Sequence, residues 1–154
     1  GLPSIVGAKI GQPTVPVVGF AGDGAFGISV NELTAIGRDE WPAITQIVFR
    51  NYQWGAEKRN STLWFDDNFV GTELDTKVSY AGIAQACGLK GVQATTMDQL
   101  TELLSHAIKD QMENNVTTLI EVILNQELGE PFRRDAMKKP VQVAGVIASD
   151  MAAE

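Results

Sequence analysis

Apolar residues along this chain occur in two patterns that alternate. Short continuous runs, typical of strands buried on both faces of a sheet, predict strands at 15–20, 44–49, 91–96 and 117–124. Apolar residues at helical spacing, together with capping signals, predict helices at about 3–10, 29–39, 79–88 and 97–114. Strands that alternate with helices indicate an α/β fold, with a parallel sheet flanked by helices on both faces.

Capping residues predict where these helices begin and end. Ser29 and Glu32 have the spacing of a capping box at the start of the second helix, and Thr96 and Gln99 have the same spacing at the start of the fourth. Gly88 is expected to end the third helix, because glycine readily takes the left-handed conformation that follows a helix.

The stretch from Asn51 to about Thr76 is polar and aromatic and shows little periodicity, so we predict a loop. Loops of this length inside a compact domain are usually functional or disordered. Several large aromatic residues argue against disorder, among them Trp54, Trp64 and Phe65. We therefore expect an ordered and functional loop.

Composition and charge narrow the class of protein. The 154 residues are enough for one domain with a sizeable core. A net charge of −7 and a sequence pI of about 4.7 argue against general binding to nucleic acid or to an anionic membrane, although a bound cation or backbone N–H groups could still hold a phosphate. No apolar run approaches the roughly 18 residues of a membrane span. The single cysteine, Cys87, suits a reducing compartment, so we predict a cytoplasmic protein.

The clearest chemical signal is the segment GDGAF, in which Asp23 lies between Gly22 and Gly24 just after the first predicted strand. Asn51 comes just after the second strand, and ligands of parallel sheets gather beyond the carboxyl ends of strands. If the two strands are neighbours, a carboxylate, an amide oxygen and a backbone carbonyl can share one crevice, and Mg²⁺ or Ca²⁺ accepts such ligands. The two glycines would let the backbone approach a phosphate, and the helix that begins near Ser29 would point its N-terminus toward it.

A simpler interpretation of Gly-Asp-Gly is a tight turn with a solvated aspartate. Neither a P-loop nor the G-x-G-x-x-G fingerprint of dinucleotide-binding folds is present. The position of Asn51, at the corresponding end of the next strand, favours a site for a metal ion and a diphosphate.

The segment GDGAF…VFRNYQWG resembles the signature of thiamine-diphosphate-dependent enzymes, in which Gly-Asp-Gly precedes an Asn-Asn pair by about this spacing. Upstream, GLPSIVGAKIGQP resembles the segment before that signature in the acetolactate-synthase-like branch, and the similarity extends over essentially the whole chain. The resemblance implies the thiamine-diphosphate-binding fold, with thiamine diphosphate and Mg²⁺ as cofactors. One position departs from the pattern, because Arg50 stands where the first asparagine is usual. Arg50 could hold an anion or pair with the acidic surroundings of Asp23.

Carried over by position, the resemblance implies three metal ligands: the Asp23 side chain, the Asn51 side chain and the Gln53 backbone oxygen. The diphosphate would be contacted mainly by backbone N–H groups, those of Gly24, Ala25, Trp54 and Gly55. The predicted cofactor site as a whole comprises Gly22, Asp23, Gly24, Ala25, Asn51, Gln53, Trp54 and Gly55.

Within this branch, FRNYQWGAEKRNSTLWFDDNFVGTELD and NQELGEPFRRDAMKKPV look most like the sulfoacetaldehyde acetyltransferases. Those enzymes convert sulfoacetaldehyde and phosphate to acetyl phosphate and sulfite, in the degradation of taurine and other sulfonates. Two alternatives stay open: an acetolactate-synthase-like enzyme that uses pyruvate, and a non-catalytic α/β module. The cations that could bind the anionic substrates, unless they are solvated surface charges, are Lys58, Arg59, Arg133, Arg134, Lys138 and Lys139.

The resemblance also implies that the chain is one part of a longer enzyme. Residues 1–125 would form the diphosphate-binding domain and residues 126–154 a C-terminal tail, with the upstream domains absent. The pyrimidine end of the cofactor would rest on a missing domain that carries an essential glutamate, expected from a second subunit of a homodimer or homotetramer. Glu32, a capping residue, and Glu121, in the middle of a strand, are not substitutes for that glutamate. We therefore expect no catalytic residue in this chain, and no activity from the chain alone.

Overall fold

The computed structural model describes residues 1–127. Its strands are β1 (Val18–Gly22), β2 (Thr45–Arg50), β3 (Lys90–Ala94) and β4 (Thr118–Ile123). Its α-helices are α1 (Leu2–Gly11), α2 (Asp23–Gly27), α3 (Leu33–Ile36), α4 (Gly55–Trp64), α5 (Tyr80–Ala86) and α6 (Met97–Glu113). The four strands form one sheet in the order β1-β2-β4-β3, and every pair of neighbours is parallel. The predicted α/β fold with a parallel sheet is confirmed.

The two central strands, β2 and β4, have side chains that enter two separate cores. Val48 and Leu119 face a cluster that includes residues of α1, α2, α3 and α5. Ile47 and Ile120, which lie opposite each other in the register, face the other side of the sheet, where α6 packs. Because both faces are covered, the central strands have continuous apolar sequences, as a buried parallel sheet requires.

The capping signals of the later helices are confirmed. The Thr96 side chain accepts a hydrogen bond from the Gln99 N–H at 3.2 Å, at the start of α6, while the Gln99 side chain accepts from the Thr95 N–H at 2.9 Å and not from Thr96 as in a full capping box. Gly88 follows α5 and has a φ of +81°, in the left-handed region that favours glycine.

The predicted capping box at Ser29 is wrong. The chain is already helical before this residue, because α2 starts directly after β1 and the Ser29 N–H donates to the Phe26 carbonyl at 2.9 Å. A 3₁₀ turn at Val30–Glu32 and the short helix α3 then carry the chain only to Ile36. The helix predicted over 29–39 therefore starts earlier, is broken in the middle and ends sooner.

The first strand begins three residues later than predicted, at Val18. The preceding residue, Val17, is bound by a side chain: its N–H donates to Gln111 Oε1 at 2.7 Å, and its carbonyl accepts from Gln111 Nε2 at 3.0 Å. This contact, between residues 94 positions apart, comes from the packing of α6 on the sheet.

The predicted loop at 51–76 contains the ten-residue helix α4. None of the residues of α4 is buried, so it has no apolar stripe that periodicity could detect. After α4 the chain returns to the start of the segment, because the Trp54 N–H donates to the Thr72 carbonyl at 2.7 Å and the Leu74 N–H to the Tyr52 carbonyl at 2.9 Å. These backbone hydrogen bonds explain why the segment is structured, as predicted.

Within residues 1–127, no helix has both the length and the apolar character needed to cross a membrane.

Gly91 of β3 tests how closely α5 packs on the sheet. A Cβ at Gly91 would lie 2.0 Å from the Ala81 carbonyl oxygen, so Gly91→Ala must separate β3 from α5. We expect a loss of about 1–3 kcal/mol in the free energy of unfolding, measured by urea denaturation. The matched control is Gly7→Ala inside α1, where nothing lies within 4 Å of the added Cβ and a gain of about 0.5–1 kcal/mol is expected. Equal stability of the two variants would contradict this account of the packing.

Candidate functional site

The ends of β1 and β2 lie side by side, because Gly22 is opposite Phe49 in the parallel register. Asp23 therefore follows one strand at the same edge of the sheet where Asn51 follows the other. The predicted site shared by Asp23 and Asn51 requires this arrangement.

Three hydrogen bonds hold Asp23, which is only 1% exposed. Its Oδ1 accepts from the Gly24 N–H at 3.0 Å, and its Oδ2 accepts from the Tyr52 N–H at 2.7 Å. Its carbonyl accepts from the hydroxyl of Tyr80 at 3.0 Å. The carboxylate is thus fixed in direction and is not the solvated aspartate of a simple turn.

The Asn51 amide lies between the two other predicted ligands. One terminal atom of this amide is 3.2 Å from Asp23 Oδ1 and 3.1 Å from the Gln53 carbonyl oxygen. Tyr52, between Asn51 and Gln53, has a φ of +61°, which reverses the chain so that both neighbours face Asp23. The three predicted ligands therefore meet at one point.

This donor set fits a small divalent cation. If the Asn51 oxygen occupies the shared position, three oxygens lie in contact with no proton between them, which a cation would stabilise. With the amide turned over, its nitrogen would instead donate to Asp23 and Gln53. At Mg²⁺–oxygen distances of about 2.0–2.1 Å, neighbouring ligands in an octahedron lie about 2.9 Å apart, close to the spacing found here. No cluster of three His, Cys, Asp or Glu residues suited to a metal occurs in the described part of the chain, so this oxygen set is the candidate.

All eight residues of the predicted cofactor site line a single cleft of about 430 Å³. That they bind a cofactor stays a prediction. Four further residues of the lining were not predicted: Phe49, Ala56, Glu57 and Leu124. Ala56 and Glu57 belong to α4, which the sequence pattern did not reveal.

Two helices begin at this cleft, α2 at Asp23 and α4 at Gly55. First-turn N–H groups have no backbone partner within their own helix, so both helix starts can present donors to an anion. One predicted contact, the Gly24 N–H, already donates to Asp23 Oδ1 and so has a competing partner. The sequence predicted that a helix beginning near Ser29 would point its N-terminus at this site. Instead, α2 begins at the site.

The predicted contact between the Trp54 N–H and the diphosphate competes with a hydrogen bond inside the protein. The Trp54 N–H already donates to Thr72, so this residue meets the cleft with its indole ring instead. The ring lies against Gly24, where an added Cβ would come within 3.0 Å of two ring atoms. Gly24 is therefore needed for the close approach of Trp54, whereas a Cβ at Gly22 would meet nothing within 4 Å.

Arg50 is buried behind the cleft, with 2% exposure, and pairs with Glu121 rather than with Asp23. Its Nε is 3.2 Å from Glu121 Oε1, and one terminal nitrogen donates to the Asp75 carbonyl at 2.9 Å. Its guanidinium also lies over the rings of Tyr52 and Tyr80, at 4.5 and 5.0 Å from their centroids. Of the two roles left open for Arg50, ion pairing is the one observed, with a different partner.

Glu121, fully buried in β4, accepts hydrogen bonds from several elements. Its Oε1 accepts from the Tyr80 N–H at 3.2 Å; its Oε2 accepts from Ser79 Oγ at 3.0 Å, the Ala81 N–H at 3.2 Å and Gln93 Nε2 at 2.9 Å. Burial raises the pKa of Glu121, but these hydrogen bonds outweigh it, and the net pKa is below its ordinary value. The sequence signal for this network was a glutamate inside the apolar run LIEVI, and an arginine at the end of another buried strand.

The two predicted substrate cations that lie within residues 1–127 do not line the cleft. Lys58 forms an ion pair with Glu73, and the cleft lining includes neither Lys58 nor Arg59. The other four candidate cations, at positions 133, 134, 138 and 139, lie outside the described residues.

Comparison with known proteins shows to which family the chain belongs. The family described as "Thiamine pyrophosphate enzyme, C-terminal TPP binding domain" matches residues 1–122. The chain belongs to this family. Its predicted resemblance to thiamine-diphosphate-dependent enzymes is thereby confirmed.

Individual relatives of this thiamine pyrophosphate-binding domain differ widely in similarity. The sulfoacetaldehyde acetyltransferase of Roseovarius nubinhibens is 78% identical over 151 residues, which are 98% of this chain and 25% of that protein. The acetolactate synthase isozyme 2 large subunit of Escherichia coli K12 is 29% identical over 125 residues, 74% of this chain and 23% of that protein. The solved thiamine diphosphate-dependent 4-hydroxybenzoylformate decarboxylase of Rhodococcus jostii RHA1 has a TM-score of 0.69 and 26% identity, over 84% of this chain and 23% of that one. The chain spans about a quarter of the length of these relatives.

Acid should weaken the network at Glu121. Because the folded pKa of Glu121 lies below its ordinary value of 4.5, its carboxylate stabilises the fold above about pH 4.5, and this contribution is lost as the pH falls through the folded pKa. We expect Glu121→Gln to lower the free energy of unfolding by about 3–5 kcal/mol at pH 7, and to flatten the loss of stability in acid. Melting temperatures between pH 3 and pH 7 measure both effects. Glu113→Gln, in an exposed pair with Lys109, is the control and should change little.

Proposed function

We propose that this chain is the diphosphate- and Mg²⁺-binding part of an acyltransferase that converts sulfoacetaldehyde and phosphate to acetyl phosphate and sulfite. The observation that carries the proposal is the meeting of the Asp23 carboxylate, the Asn51 amide and the Gln53 carbonyl in a cleft of a thiamine pyrophosphate-binding domain. The choice of reaction rests on the 78% identity to a protein named sulfoacetaldehyde acetyltransferase.

The residues of the cleft would divide the work of binding. The Asp23 carboxylate, the Asn51 amide oxygen and the Gln53 carbonyl oxygen would hold Mg²⁺, which in turn neutralises the diphosphate. The N–H groups of Ala25 and Gly55, in the first turns of α2 and α4, would donate to the diphosphate oxygens. When bound, thiamine diphosphate supplies the stabilised carbanion chemistry that acyl transfer from an aldehyde requires.

The rest of the enzyme would come from outside this chain. We propose that residues 1–125 are the cofactor domain and 126–154 a tail, and that another domain, on a second subunit of a cytoplasmic homodimer or homotetramer, supplies the essential glutamate. Neither of the two glutamates considered from the sequence is placed to stand in for it, because Glu121 is fully buried behind Arg50 and Glu32 does not line the cleft. The chain alone would therefore be inactive.

A second candidate keeps the cofactor site and changes the substrate to pyruvate, as in acetolactate synthase. The similarity to such an enzyme is much lower, at 29% identity. A non-catalytic module is a third candidate. It is disfavoured because Asp23 is buried and the Asn51 amide and the Gln53 carbonyl lie beside its carboxylate.

The test is an assay of the full-length enzyme with thiamine diphosphate, Mg²⁺, sulfoacetaldehyde and phosphate, in which sulfite and acetyl phosphate are both measured. We expect stoichiometric release of the two products, and Asp23→Ala should abolish it because the metal loses its carboxylate ligand. Asp66→Asn is the control, since Asp66 is an exposed aspartate with a φ of +49° that asparagine tolerates.

Two results would change the assignment. Carbon dioxide release from pyruvate without sulfite release would replace the substrate and keep the site. Wild-type activity in Asp23→Ala would remove Asp23 from the site.

A further inference from the structure

We propose that Arg50 is a positioning residue that sets the affinity of the candidate site for Mg²⁺. In this proposal the buried Arg50–Glu121 pair holds the two tyrosines that fix Asp23. The inference rests on the proposed function of Asp23, Asn51 and Gln53 as metal ligands, and adds residues that contact neither the metal nor the diphosphate.

The cost of burying this pair calls for such a role. Arg50 and Glu121 are 2% and 0% exposed, and desolvation of two buried charges offsets most of their attraction. An apolar pair of similar volume would serve packing equally well in this position. Stabilisation of the fold therefore does not explain why a buried guanidinium lies one residue before the proposed metal ligand Asn51.

Arg50 contacts two of the three residues that hydrogen-bond to Asp23. Its guanidinium lies 4.5 Å from the ring centroid of Tyr52, whose N–H donates to Asp23 Oδ2. On the other side it lies 5.0 Å from the ring centroid of Tyr80, whose hydroxyl donates to the Asp23 carbonyl. A shift of the guanidinium would therefore reach Asp23 through two hydrogen bonds, one to its carboxylate and one to its backbone carbonyl.

The strained backbone at Tyr52 gives the contact a geometric role. A side chain at a φ of +61° raises the energy of that residue by about 1–2 kcal/mol, so its surroundings must hold it there. The cation–π contact with Arg50 and the hydrogen bond to Asp23 both do so. The turn that they hold is the one that directs Asn51 and Gln53 toward Asp23.

Glu121 fixes the other tyrosine. Its two carboxylate oxygens accept the N–H groups of Tyr80 and Ala81 at the start of α5, while one of them also pairs with Arg50. The Tyr80 ring is further held by an edge-on contact with Phe26 of α2, at 5.2 Å between centroids. The ion pair thus joins the middle of the sheet, the start of α5 and the metal-binding edge.

The experiment measures Mg²⁺ binding apart from turnover. The full-length apoenzyme is dialysed against a fixed, saturating concentration of thiamine diphosphate, and the bound cofactor is measured as a function of Mg²⁺ concentration. Tyr80→Phe keeps the ring over Arg50 and removes the hydroxyl that donates to the Asp23 carbonyl, so we expect the half-saturating Mg²⁺ concentration to rise by about three- to tenfold.

Arg50→Lys tests the guanidinium itself. Lysine keeps the charge but loses the planar fork that reaches Glu121, Asp75 and both rings together, so we expect a rise of tenfold or more. For both variants, kcat for sulfite release should return to the wild-type value at saturating Mg²⁺, since only metal affinity is changed. Leu104→Ala, against the core on the opposite face of the sheet, is the control: it should lower the melting temperature and leave the half-saturating Mg²⁺ concentration unchanged.

The outcomes separate the two proposals. If the wild-type protein retains cofactor without Mg²⁺, or Asp23→Ala binds as the wild type does, the proposed metal site is wrong. If Asp23→Ala abolishes retention while Tyr80→Phe and Arg50→Lys match the wild type, the site stands and the positioning role is overturned. Should Arg50→Lys not fold, Tyr80→Phe alone decides. A shift in Leu104→Ala as large as in Tyr80→Phe would also overturn the positioning role.

Discussion

The parallel pairing of β1 with β2 is the constraint on which the site depends. Parallel neighbours end at the same edge of the sheet, so two short polar segments that are distant in sequence meet in space. Asp23 and Asn51 could not approach each other if another strand lay between β1 and β2, or if the two strands were antiparallel. The α/β fold therefore creates the position of the site before any ligand residue is chosen.

An acidic chain can bind a diphosphate by combining two physical devices. A metal ion held by neutral and singly charged oxygen ligands supplies positive charge locally, and helix starts supply N–H donors without adding a cation to the sequence. The described cleft is compatible with this scheme, because two helices begin there and its described lining contains no lysine or arginine. The net charge of −7 is thus compatible with an anion site, while general affinity for polyanions stays low.

The buried charges behind the cleft show how one network can serve several elements. Glu121 accepts the first N–H groups of α5, which a buried helix start would otherwise leave without partners. Arg50 compensates its charge and at the same time contacts the aromatic rings next to Asp23. A network with every member satisfied is rigid, and a metal site needs ligands that are held rigidly in place.

The sequence by itself determined the fold class, the family and the eight residues that line one cleft, since buried strands, later helix caps and the Gly-Asp-Gly and Asn51 signals are local patterns. It did not reveal α4, whose residues are all at least partly exposed, or the start of α2, where a helix begins directly from a strand. Only the tertiary structure decided the partner of Arg50, because Glu121 lies 71 positions away on a neighbouring strand, where it is opposite Val48 in the register. It also decided that the Trp54 N–H is used by Thr72 and that its ring fills the space beside Gly24. Such pairings depend on which strands are neighbours and which faces meet, and no local pattern of residues encodes that.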